Sequence, residues 1–470
     1  MIRTKKHSKI ELSKPTEFSA SQLVQLLKEV RARTLDLVAD LTDEQIIGPH
    51  LSIVNPPLWE IGHVAWFQEF WVLRHLRNRR PLREGGDALY NSAEVIHDTR
   101  WDLPLPSREE TLNYMREVLN RTIDSLGSRN PRREETYFYL LSIFHEDMHD
   151  EAITYTRQTL GYPAPRLTTS SEEKPSGVTP GRPCPGDLEI PGGTFMLGAT
   201  ADLPFVFDNE KWAHPVEVKP FRIARAPVTN GEFAAFVEDG GYQRQEFWSK
   251  EGWRWLESGG APELERSFSR FWSKEGRRKP DPPSLSGRVE HPVYWQRESG
   301  GCWLQRIFDR YVPLREHFPI IHVNWYEAEA YCRWAGRRLP TEAEWEMAAS
   351  AEPTADGHGI TGRKRRFPWG DEPPTPDRAN LDWHAMGCID VGALSTGDSA
   401  FGCRQMIGNV WEWTASSFQP YSGFVVDPYK EYSKPWFGTH KALRGGCWTT
   451  RSHLIRNTWR NFYTPDRRDV

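Results

Sequence analysis

The 470-residue chain has little cysteine: its six thiols, Cys184, Cys302, Cys332, Cys388, Cys403 and Cys447, form no CxxC pair and no regular spacing. Neither a zinc ribbon nor a disulfide framework is indicated. It also lacks an excess of either charge. Lys and Arg number 60 against 64 Asp and Glu, a formal net charge of -4, which removes the electrostatic case for a nucleic-acid binder or a polybasic membrane-surface protein. No stretch approaches the ~18 uncharged apolar residues of a membrane span. Mean hydropathy is -0.66, and the opening MIRTKKHSKIELSK has no apolar segment of the signal-peptide kind. A cytoplasmic protein is expected. There is no internal repeat of about 20–50 residues and no heptad, so solenoids and coiled coils are set aside.

What is abundant is Trp, Gly and Pro, at 21, 36 and 36 residues. Many large aromatics among many chain-reversing residues predict a region held by aromatic packing and turns rather than by long helices. The texture changes along the chain. In SASQLVQLLKEVRARTLDLVADL, Leu23, Leu26, Leu27, Val30, Leu35, Leu37 and Val38 recur at helical spacing. Further helices are predicted over 58–77, started by Pro56 and Pro57, over 107–126, and over 133–160, closed by Gly161 and Pro163. Four long helices imply a bundle, over residues 18–163. Residues 164–186, rich in Pro, Ser, Thr and Gly, read as a linker. From 187 to 470 short apolar runs alternate with turns, interrupted by helix-like stretches near 230–237 and 325–334. The fold class is therefore α+β and multidomain, and a chain this long suggests two or three domains at ~150 residues each.

The fourth helix contains FHEDMHDEA, with His145 and His149 four residues apart. That spacing puts both imidazoles on one helix face, within reach of one metal ion. By itself the pair is a weak signal, since half-buried polar histidines are common. Two features strengthen it. Glu146, Asp147, Asp150 and Glu151 crowd the same turns, where they are expected to fix the histidine tautomers. His63 lies in the apolar stripe of the second helix, where a bundle turns it inward. Three imidazoles leave open coordination positions, which suits catalysis, and ligand softness admits iron, zinc or another divalent ion.

At these residues a family resemblance becomes specific. The N-terminal part resembles the DinB-type four-helix bundle. The C-terminal part resembles the formylglycine-generating-enzyme, or sulfatase-modifying-factor, fold, a relative of C-type lectins. The latter rests on IPGGTFMLGA (190–199), PVTNGEFAAFV (227–237), HVNWYEAEAYCRWAGRRLPTEAEWEMAA (322–349), FPWGDE (367–372), GNVWEWT (408–414) and LRGGCW (443–448). The combination is similar to the nonheme-iron sulfoxide synthases of ergothioneine biosynthesis and to selenoneine synthase. The resemblance implies Fe(2+) held by His63, His145 and His149, with hercynine, a thiol or selenosugar donor, and O2 as reactants. It further implies Tyr421 as a proton donor, Asn461 and Phe462 beside hercynine, and Arg100 and Arg467 facing a donor carboxylate. Phe462 would offer an aromatic face to the trimethylammonium group.

The departures from the family pattern are informative. Tyr463 stands where users of gamma-glutamylcysteine carry an acid, Met148 where some members have glutamine, and Phe424 in place of a pocket tyrosine. Losing the acid removes the counter-charge for a donor ammonium, so a selenosugar is favoured over cysteine or gamma-glutamylcysteine. The resemblance also leads one to expect a further short strand after RRDV. Three rival readings carry less weight. A formylglycine-generating oxidase needs two cysteines where Thr450 and Ile455 stand. A zinc DinB-type thiol transferase leaves the C-terminal part unexplained, and a non-catalytic lectin-like module leaves the histidine trio unexplained.

Overall fold

In the computed structural model, residues 18–127, 129–168, 183–260 and 288–469 are described. Most of the expected linker over 164–186 lies outside them, as does Val470. All four expected helices form. Helix α1 (Ala20–Val38) is started by Ser19, whose side chain accepts from the Gln22 amide while the Gln22 side chain bonds back to the Ser19 amide. A short α2 (Asp43–Ile47) follows. Helix α3 (Pro57–Gln68) opens with proline where its missing N–H is harmless, and continues through Glu69–Leu76 with π-type hydrogen bonding. After a short α4 (Gly86–Tyr90), α5 (Arg108–Leu126) is capped by Ser107 and Glu110. Helix α6 (Arg133–Leu160) runs 28 residues and stops at Gly161, whose φ of 66° is the left-handed turn that closes a helix. Helix α3 packs on α5 and α6, and α1 on α5 and α6.

The C-terminal part is built of small antiparallel sheets among the described residues. Strand β1 (Asp187–Ile190) pairs with β4 (Phe221–Ala224), and β2 (Gly193–Leu197) with β3 (His214–Val218). Strands β5 (Trp295–Arg297), β6 (Trp303–Ile307) and β7 (Arg310–Pro313) form one three-stranded sheet. Strand β8 (Ala351–Pro353) pairs with β9 (Ile360–Lys364). The last sheet joins β10 (Glu412–Ser417), β11 (Lys441–Arg444) and β12 (Asn461–Tyr463). The helix-like stretches appear as Asn230–Glu238 and Trp325–Trp334, and two more helices, Lys250–Glu257 and Glu342–Ser350, were not legible from periodicity. They are only eight and nine residues long, too short for a 3.6-residue period to stand out.

One hydrophobic cluster runs through both parts. It joins Leu27, Trp59, Phe67 and Leu140 of the bundle to Phe207, Trp383, Leu454 and Trp459. Helix α6 is the element both parts use. Along it, Tyr137 donates to Asp427 (3.0 Å), Asp147 meets His453 (2.6 Å), Glu151 accepts from Trp411 (2.5 Å) and Thr450 (2.8 Å), and Thr154 accepts from Trp383 (3.1 Å). Among the described residues no helix is long and apolar enough to cross a membrane.

Candidate metal centre

The spacing of the histidines does what helix geometry predicts. His145 and His149 lie one turn apart on α6, and α3 brings His63 against them: the ring centroids stand 4.5 Å (His145 to His149), 5.0 Å (His63 to His145) and 4.8 Å (His63 to His149) apart. One ligand atom from each lies within 4.8 Å of the others. His63 and His145 are buried, and the His149 side chain keeps 20% of its exposure, leaving one open side. The stripe at four-residue spacing on α3 frames the trio. Trp59 stacks on His63 at 4.6 Å, and Phe67 stacks on His145 at 3.5 Å.

Hydrogen bonding sets the tautomers. His63 Nδ1 donates to the Tyr90 carbonyl oxygen at 2.7 Å, and His149 Nδ1 donates to the Glu60 carboxylate. Each ring is thereby left with its Nε2 lone pair for a metal. His145 Nδ1 is buried with no partner among the described residues. Burial, then the neighbouring His149, pushes His63 down to about 3, and burial with His149 and His63 pushes His145 well below its ordinary value. Two neutral imidazoles thus sit side by side, the protonation state in which such rings coordinate metal. Burial alone would raise the Glu60 carboxyl, yet the His149 and Asn55 side chains hold it down at about 2, so it is a fixed anion beside the trio. The residues present fit a divalent transition metal bound by three nitrogens.

The expected tautomer-fixing acids do not do that work. At about 100° per residue, positions 147, 150 and 151 fall about 100° or more around the helix from both His145 and His149, so they face away from the histidine side, and Glu146, about 60° from His149, is taken up by Arg31. Glu146 pairs with Arg31 at 2.6 Å, Asp147 with His453, and Glu151 with Trp411 and Thr450. Asp150 is buried beside Glu146 and Asp147, and burial raises its carboxyl well above the ordinary range. The anion that reaches a ring is Glu60, a lone charge in the apolar run PLWEIGHVAWF, and that isolation is the signal from which it was legible.

The other expected residues divide into groups. Met148 lies between the paired histidines on α6, and its sulfur accepts from the Tyr432 hydroxyl at 3.5 Å. Arg100 is buried, stacked on Trp59 at 3.8 Å and bonded to Asn55 Oδ1 at 2.5 Å. Burial lowers its guanidinium to about 10. Phe462 on β12 stacks on Phe418 at 4.1 Å and meets Tyr432 edge-on at 5.7 Å, while Asn461 Oδ1 accepts from the Phe462 amide. Arg467 lies over Tyr463 at 5.4 Å and Tyr155 at 5.7 Å, donates to the Ile53 carbonyl, and is paired through two nitrogen–oxygen contacts with Asp469. Burial pushes the Tyr463 phenol up to about 12.

Tyr421 and Phe424 are not brought to the histidines. Tyr421 belongs to a separate core cluster with Phe195 and Trp345, under the Arg460 guanidinium at 4.1 Å and against His214. Phe424 touches Phe437 at 5.1 Å, out on the same loop. The tyrosine that does reach the site is Tyr429, edge-on to Phe67 at 4.9 Å and to His145 at 5.9 Å. Tyr429 and Tyr432, three residues apart in DPYKEYS, were not singled out from sequence, because no local period marks them.

Comparison with known proteins agrees with this geometry. Residues 26–153 match the DinB superfamily, and residues 173–469 match the sulfatase-modifying factor enzyme 1-like domain. The chain is 36% identical to a hercynine oxygenase of Mycolicibacterium thermoresistibile, covering 96% of this chain and 93% of that one. It is 36% identical to a hercynine oxygenase of Mycobacterium tuberculosis, with 96% and 97% covered. A formylglycine-generating enzyme of Streptomyces coelicolor is 31% identical but spans only 64% of this chain, so the formylglycine reading accounts for the C-terminal part alone. Both domains and nearly the whole length are accounted for together, and the chain belongs to the hercynine oxygenase family, the ergothioneine-type sulfoxide synthases, and is an oxidoreductase.

Proposed function

We propose that the enzyme joins selenium or sulfur to C2 of the hercynine imidazole, using iron(II) at His63, His145 and His149 together with O2, and that a selenosugar is its preferred donor. The observation that carries the reading is the trio itself, with two rings held in the tautomer that presents Nε2. An iron ion held by these three nitrogens would gather the reactants and lower the pKa of a thiol or selenol. The chain's own residues then bind and orient. Asn461 and Phe462 offer hercynine an amide and an aromatic face, and Tyr432 and Met148 border the same space. Gathering the reactants at one point supplies proximity.

The proton-donor role passes from Tyr421 to Tyr429. Its ring lies against His145, and burial raises its phenol above the ordinary value of about 10, so it holds its proton at neutral pH. On the donor side, Arg467 already has Asp469 as counter-charge, and Tyr463 offers no carboxylate to an ammonium group. Arg100 is bonded to the Asn55 amide oxygen, and the buried Glu60 carboxylate on the other side of that amide acts as its counter-charge. A sugar without an amino-acid head fits this charge balance better than gamma-glutamylcysteine. The second reading is a hercynine sulfoxide synthase that uses cysteine or gamma-glutamylcysteine; the full-length relatives are named for hercynine and oxygen, which both readings share.

The test is a competition. The iron(II) protein is incubated with hercynine and equal amounts of selenosugar, thiosugar, cysteine and gamma-glutamylcysteine, with and without O2, and products are identified by mass spectrometry. Selenium in the main product, formed only with O2, is expected. A main product from gamma-glutamylcysteine would overturn the donor and keep the iron site. Turnover without O2, with zinc replacing iron, would overturn the oxidative reading.

A further inference from the structure

Asn55 stands just before Pro56 and Pro57, and a residue before proline is held extended. Its side chain is fixed as firmly. Arg100 Nη1 donates to Asn55 Oδ1 at 2.5 Å, and Asn55 Nδ2 donates to Glu60 Oε1. Glu60 Oε2 then accepts from His149 Nδ1. Every direction in this chain is forced. A guanidinium can only donate and a carboxylate can only accept, so the amide between them has one possible orientation. Glu60 is 3% exposed and Arg100 8% exposed, and in that setting the Arg100–Asn55 and Asn55–Glu60 bonds, which run in series, polarise one another, while Asn55 and His149 converge on the Glu60 carboxylate from its two sides. Arg100 Nε remains buried without a partner among the described residues.

We propose that Asn55 and Glu60 are positioning residues forming a relay, Arg100 to Asn55 to Glu60 to His149, through which the buried Arg100 guanidinium sets the orientation and basicity of one metal ligand. The inference rests on the metal reading of the trio and goes beyond it. It makes the state of Arg100 and metal binding two ends of one linkage, so that whatever engages Arg100 changes the affinity of His149 for metal, and metal changes Arg100 in return. A carboxylate that holds a ligating histidine by its far nitrogen typically contributes 10- to 100-fold in metal affinity. Glu60 carries that part, and Asn55 carries the coupling. A second contact, Arg100 over Trp59 and Trp59 on His63, offers a parallel path by stacking alone, and the experiment separates the two.

The full-length apoprotein is titrated with cobalt(II), reading affinity by chelator competition and the visible d–d bands, which report ligand geometry. Urea unfolding of each apo variant reports stability separately. Glu60→Gln keeps shape and removes charge, so affinity is expected to fall about tenfold or more with shifted bands. Asn55→Leu is expected to fall about tenfold, and Arg100→Met about two- to fivefold, by loss of the orientation the relay imposes. In the double variant Asn55→Leu with Arg100→Met, affinity should equal that of Asn55→Leu alone. Additive losses would mean that Arg100 acts by the Trp59 stack and would overturn the relay. Unchanged affinity in Glu60→Gln, with cobalt lost in His63→Ala, would overturn the inference and keep the metal site. Unchanged affinity in both would overturn the metal site itself. Should Glu60→Gln fail to fold, the Asn55 and Arg100 cycle decides alone.

Discussion

The two parts of the molecule divide the labour by the kind of structure they are. The bundle places three histidines to within 4.8 Å with side chains projected from two long helices. The C-terminal part, with strands of three to six residues, places Tyr429, Tyr432 and Phe462 by long-range packing against those helices. A helix has one period and a rigid axis, so four residues of spacing determine where two side chains meet. A turn-rich region has no such ruler, and its side chains are positioned by what they pack against. Rigid elements therefore carry the histidine trio and adaptable ones carry the aromatic side chains packed around it. Relatives can share the first while differing in the second.

The comparison breaks most visibly if the ligands are not where the bundle puts them. His145→Ala is expected to lower iron content per chain from near one to near zero, measured by plasma emission, with turnover down by roughly two orders of magnitude or more. Full iron in that variant would mean that the bundle does not hold the metal.

Next in size is the loop tyrosine. Tyr429→Phe should cost about 100-fold in the rate of bond formation, the lower range for a positioned proton donor, while Tyr421→Phe should leave the rate within about twofold, because Tyr421 packs in another cluster. The reverse ranking by single-turnover kinetics would restore Tyr421.

The contact between the parts can be sharpened at Glu151. Glu151→Leu strands the half-buried Trp411 indole N–H and the buried Thr450 hydroxyl, at about 2 kcal/mol of stability by urea unfolding. One cooperative transition at a lower midpoint is expected, since the parts share a core. Two separated transitions would show that they unfold independently.

The smallest effect concerns Glu412 on β10. Burial pushes its carboxyl up to about 7, against the Trp345 indole that donates to it at 2.5 Å. The folded state thus keeps a proton that the unfolded chain loses above about 4.5, so this group lowers stability as pH rises from about 5 to 7. Glu412→Gln should flatten that slope by about 1 kcal/mol per pH unit between those values, read as the difference in melting temperature between pH 5 and pH 8. An unchanged slope would mean that the carboxyl is ionised throughout.

From sequence alone came the four helices, the two-part organisation and the three clustered histidines, because apolar periodicity, proline starts, a Gly161 stop, the four-residue spacing of His145 and His149 and the place of His63 in an apolar stripe are local facts that survive folding. The acidic run after His145 misled for the same reason: it is adjacent in sequence, but about 100° per residue turns Asp147, Asp150 and Glu151 away from the histidine side and Arg31 takes up Glu146. What only the tertiary structure decided was everything that depends on distant chain meeting. Glu60 reaches His149 across 89 positions, Tyr432 reaches Met148 across 284, and Tyr421, eight positions from Tyr429, is carried into another core. A residue's neighbours along a helix follow from covalent geometry, whereas its neighbours across a core follow from how the whole chain buries its aromatic surface.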